Sequence, residues 1–128
     1  MANLICQNIR YLPIRFLSSI TNNVIIPLTG YVLSDLSLKN KLVFVETQKQ
    51  RNGNDYFEQS LQVIVDNISA INTVELLIDN LILEVTPFDK QAFIWGNIAN
   101  PVMVEIKTEN GEVEIKFFRN SILPEFIY

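Results

Sequence analysis

At 128 residues the chain has room for one domain, 1–128, and a hydrophobic share of 48% against a charged share of 19% excludes a disordered chain. A formal net charge of −4, with the basic residues scattered rather than in a run, argues against nucleic-acid binding through neutralised phosphates. One cysteine excludes an intrachain disulfide and a multi-thiolate zinc site. The lack of histidine removes Ser-His and Cys-His nucleophiles, HExxH zinc sites and the commonest general base.

Met1-Ala2-Asn3 carries no basic stretch or apolar run of a secretory signal. From Leu4 to Phe16 the chain is rich in strand formers and interrupted by Pro13, which predicts two short strands or one broken edge strand. Cys6, flanked by apolar residues, reads as a small buried hydrophobe. Val24 to Gly30 is a second apolar run, stopped by Pro27 and Gly30, and residues 31–40 read as a loop with room for a short strand. Lys41 to Gln50 is strand-like. A turn cluster at Asn52-Gly53-Asn54-Asp55 follows, and then Tyr56 to Asp66 alternates, with Phe57, Leu61, Val63 and Val65 on one face. This pair predicts a hairpin whose longer loop leaves the register open.

Ile68, Ile71, Val74 and Leu77 or Ile78 recur at helical spacing, with Asn67 or Ser69 as N-cap and Asp79-Asn80 as a stop, and predict one helix. Between Val74 and Val85 the apolar run is broken by Glu75, Asp79, Asn80 and Glu84, well short of the roughly 18 uninterrupted apolar residues of a membrane helix. The chain is accordingly expected to be soluble and made in a reducing compartment. Leu81 to Val85 and Gln91 to Gly96 read as strands around Pro87.

The last hairpin is the best specified. Asn110-Gly111 favours a type I′ turn, in which both central residues need positive φ. Placing the turn there sets Lys107 opposite Glu114, Glu105 opposite Lys116, Ile106 opposite Ile115, Val104 opposite Phe117 and Met103 opposite Phe118. A one-residue slip would invert both faces.

No motif carries chemistry. Glycines stand only at 30, 53, 96 and 111, so there is no phosphate-cradling loop or dinucleotide fingerprint. The carboxylates Asp35, Glu46, Asp55, Asp66, Asp79, Glu84 and Asp89 show no spacing that singles out an acid–base pair. They read as solvated surface charge or ladder partners. Asp79, Glu84 and Asp89 lack the DxDxDG-like loop of a calcium site. Trp95, between an apolar strand and Gly96, reads as core or subunit interface, and the four tyrosines are too dispersed for a stacking series. No catalytic, cofactor-binding or metal-ligating residue is expected, and no cofactor.

The segments Ile9 to Pro13, Val24 to Gly30, Phe44 to Thr47, Tyr56 to Leu61 and Ile94 to Asn97 with Pro101 resemble small tail proteins of bacteriophages and prophages, especially of Bacteroides-type hosts. The resemblance spans most of the chain. It implies a mainly β (α+β) fold, a β-sandwich or partly open barrel of antiparallel hairpins with one flanking α-helix. It also implies a virion structural subunit of the tail-tube, tail-terminator or baseplate-hub kind, assembled in the bacterial host cytoplasm. Its partners would be copies of itself in a hexameric ring and other tail or neck proteins, with no specific nucleic-acid binding and no membrane. The competing reading is a monomeric β-domain that binds a small ligand or peptide.

Overall fold

The computed structural model describes residues 2–35, 42–65, 80–88, 91–109 and 112–121. Among these residues ten strands follow in chain order: β1 (Ala2–Pro13), β2 (Leu17–Thr21), β3 (Val24–Pro27), β4 (Ser34–Asp35), β5 (Leu42–Arg51), β6 (Asn54–Val65), β7 (Leu81–Pro87), β8 (Phe93–Trp95), β9 (Met103–Glu109) and β10 (Glu112–Ser121). The fold is mainly β, as the sequence predicts. The predicted helix at 68–78 lies outside the described residues.

The main sheet runs β8-β7-β1-β5-β6-β10-β9, all antiparallel, with β4 on β1. Its ends meet. Leu81, at the start of β7, and Val102, just before β9, exchange backbone hydrogen bonds of 2.9 Å in each direction. β7, β1, β5, β6, β10 and β9 therefore form a barrel, closed among the described residues by the Leu81–Val102 bridge.

Inward positions alternate along each strand: Leu42 and Phe44 on β5, Leu61 and Val63 on β6, Leu83 and Val85 on β7, Ile115 and Phe117 on β10. Phe44 meets Phe93 and Trp95 edge-on, at centroid separations of 5.5 and 4.9 Å.

β1 is one strand, and not at an edge. It pairs β5 through Ala2–Cys6 and β7 through Cys6–Pro13, with a register shift between Cys6 and Asn8. Pro13 is tolerated because it stands at the strand's last residue, where a 3-10 turn, Ile14–Phe16, takes over. The β5–β6 connection is also tighter than the sequence suggests. Asn52 (φ 53°) and Gly53 (φ 80°) make a two-residue turn that pairs Arg51 with Asn54, so Asn54 and Asp55 belong to β6.

Between β1 and β5 the chain makes a separate hairpin, β2–β3, turned by Asn22 and Asn23 at φ 52° and 60°. Asparagine tolerates this left-handed backbone better than other side-chain-bearing residues. One face of the hairpin buries Ile25 with Leu12 and Ile82, flanked by Phe16, Leu17, Leu33 and Ile94, in a second small core on the outer barrel wall.

The β9–β10 register is the predicted one: Glu114 faces Lys107, Lys116 faces Glu105, and the ladder begins at Glu109 and Glu112. Asn110 and Gly111 themselves lie outside the described residues.

Candidate functional site

Two residues beyond the Phe44, Leu61 and Phe117 layer, the inward positions of β5, β6 and β10 are polar. Glu46, Gln59 and Arg119 lie directly opposite one another across these strands, and all three are buried. A charge taken from water is costly unless it is paired and hydrogen-bonded. Gln59 links the two. Its amide nitrogen donates to Glu46 Oε2 (2.8 Å), while its carbonyl oxygen accepts from Arg119 Nε (2.8 Å) and Trp95 Nε1 (2.9 Å). Indole and guanidinium nitrogens only donate, so Gln59 has to present oxygen to them and nitrogen to the carboxylate. No buried side-chain nitrogen or oxygen among the described residues lacks a partner.

Outward from this layer the barrel opens into a cleft of about 620 Å³. The β5–β6 turn supplies one wall with Arg51, Asn54, Asp55 and Tyr56; the segment after β8 and the end of β10 supply the other with Asn100, Arg119 and Asn120. Arg51 lies 5.8 Å over the Tyr56 ring. Asn100 pins its segment in place: its backbone N–H donates to Asn97 Oδ1 (2.7 Å), its side chain to the Asn120 carbonyl (2.6 Å), and its own carbonyl accepts from Arg119 Nη1 (2.9 Å). The guanidinium that neutralises the buried layer thus also forms the floor of the cleft.

The carboxylates weighed in the sequence do not converge here. Glu46 is buried beneath the cleft rather than solvated, Asp55 is on its rim, and Asp35 is exposed on β4. Glu84 pairs with Arg10 at 2.6 Å on the outer wall. Asp66, Asp79 and Asp89 lie outside the described residues. Among those described, no group of three or more His, Cys, Asp or Glu could hold a metal ion. Trp95 is core, as one of its two expected roles has it. Cys6 is buried as expected, and burial pushes its thiol from an ordinary 9.0 up to about 11, leaving little thiolate near neutrality.

Gln59 and Arg119 are the residues that sequence reasoning missed, along with the burial of Glu46. The signal was strand parity. Each shares its strand's inward face with the apolar residues two positions away: Phe44 for Glu46, Leu61 for Gln59 and Phe117 for Arg119.

Compared with protein-family models, curated proteins and solved structures, the chain matches none.

Proposed function

We propose that the chain is a non-catalytic structural subunit of a phage tail or neck, assembling with copies of itself into a hexamer-like ring around the DNA channel. The observation that carries this reading is the outer strip of the β2–β3 hairpin. Val24, Ile26 and Leu28 follow at alternate positions and are all exposed, Val24 at 54%, and Val32 beyond them is 78% exposed. An apolar strip on the solvent side of a hairpin is the kind of surface that a partner covers.

Ring closure needs two different surfaces that meet head to tail. The second is on the outer wall near the start of β1, where Ile5 and Val43 are opposed across the β1–β5 ladder and exposed. Exposed Phe88 lies beside them, its backbone N–H bonded to the Ile5 carbonyl (3.3 Å). In this reading the hairpin of one subunit seats on the Ile5–Val43–Phe88 patch of the next. The net charge of −4 suits a DNA conduit, since like charge discourages passing DNA from sticking. The resemblance to tail proteins supports the virion setting.

Light scattering and electron microscopy test the assembly. The native chain should form rings, and either V24D/I26D or V43D should stop closure. Mixing the two variants leaves one intact pair of surfaces and should give dimers only. A strict monomer at high concentration would count decisively against the ring. That result would favour the second reading, a monomeric domain binding a small ligand or peptide, for which the observation is the polar cleft over Arg119.

A further inference from the structure

We infer that the polar mouth of the barrel binds a short, uncharged saccharide, with Asn54, Asp55 and Tyr56 on one wall and Asn100 and Asn120 on the other. This site is separate from the apolar surfaces of the ring and does not depend on the ring reading.

The cleft, at about 620 Å³, is within the span of ligand sites, roughly 300–1,000 Å³. Its lining decides the class of ligand. Carboxamides dominate, and while Asn97 and Asn100 are engaged in holding one wall, those of Asn54 and Asn120 offer a donor and an acceptor side by side, the spacing that vicinal hydroxyls present. The Asp55 carboxylate accepts from two hydroxyls but repels an anion. The Arg119 guanidinium is already bonded to Gln59 and Asn100 and sits over the Glu46–Gln59 layer, so its charge is partly spent within the barrel. An anionic ligand would therefore find one exposed guanidinium, Arg51, with a carboxylate beside it on the same wall. An apolar ligand would strand the amides.

Tyr56 is half-buried and offers a ring face of the kind on which the C–H face of a pyranose packs, currently shared with Arg51. The Asn97–Asn100–Asn120 hydrogen bonds hold the opposite wall before any ligand arrives, which lowers the ordering cost of binding.

The test is amide NMR on the full chain titrated with glucose, N-acetylglucosamine and their β-linked trisaccharides, each to about 50 mM so that weak binding is seen. Sodium citrate serves as the anionic control. Saccharide-dependent shifts should be confined to residues 51–56, 97–100 and 119–121. N54A and D55A alter exposed side chains and should weaken the response roughly tenfold, the loss of one or two hydrogen bonds, with an unchanged melting temperature. No shifts with any sugar, shifts centred elsewhere, shifts with citrate alone, or full binding by both variants would each overturn the inference.

Discussion

The amide of Gln59 serves two donors and one acceptor at once, all of them buried. Leucine has nearly the same volume, so Q59L tests the hydrogen bonds rather than the packing. Removing the amide takes one buried hydrogen bond from each of the Trp95 indole N–H, Arg119 Nε and Glu46 Oε2. A buried polar group that loses a hydrogen bond costs about 1–3 kcal/mol, so three such losses together predict about 3 kcal/mol or more. Urea unfolding should show a loss of that order with the slope unchanged. A loss below about 1 kcal/mol, the worth of an ordinary hydrogen bond, would mean that water or the remaining partners of these groups replace the bonds to Gln59. By contrast, the Arg10–Glu84 pair is partly exposed on both sides, and R10A should cost less than about 1 kcal/mol.

Among the elements, the β2–β3 hairpin depends on two successive left-handed asparagines, Asn22 and Asn23. Valine is strained at such a φ, so N23V should cost about 1–3 kcal/mol locally. The hairpin reaches the barrel through the Ile25 core and a bond from Asn23 Nδ2 to the Ala92 carbonyl (3.3 Å), which N23V also removes, and among the described residues it has no ladder to the main sheet, so the damage should stay local. Amide exchange should rise across 17–27 while β5, β6 and β10 keep their protection. Uniform loss of protection would show that the hairpin and barrel unfold as one unit.

This hairpin was not legible in the sequence, whereas β9–β10 was. Glu105, Lys107, Glu114 and Lys116 form two complementary pairs only in one register, which fixes both strands from the turn outward. Leu17-Ser18-Ser19-Ile20-Thr21 has no such complement, and Asn22-Asn23 is a weaker turn signal than Asn-Gly. The polar layer was hidden for a different reason. Hydrophobic alternation assigns apolar residues to a face and is silent about a glutamine, glutamate or arginine that follows the same parity inward. Only the three-strand register, which brings residues 46, 59 and 119 together, shows that they satisfy one another.

At the scale of the whole molecule, the bridge that closes the barrel among the described residues is Leu81–Val102, and Gly96 makes that bridge possible. β8 leaves β7 at Trp95, and the chain must swing out and return at Val102 to pair Leu81. Gly96, at φ +100°, makes the swing. A Cβ there would sit 3.0 Å from Val102 Cγ2 and 3.3 Å from the Leu81 carbonyl oxygen, one of the two acceptors of the closing bonds. G96A therefore combines backbone strain of about 1–3 kcal/mol with displacement of the seam. Gly53 supplies the control. It is at φ +80° with nothing within 4 Å of an added Cβ, so G53A carries the backbone cost alone. If closure contributes to global stability, G96A should melt clearly below G53A. The Leu81 and Val102 amides should exchange faster in G96A while remaining protected in G53A. Equal melting temperatures, with both amides still slow in G96A, would mean that the seam carries little of the stability and that the β7-β1-β5-β6-β10 ladder stands without it.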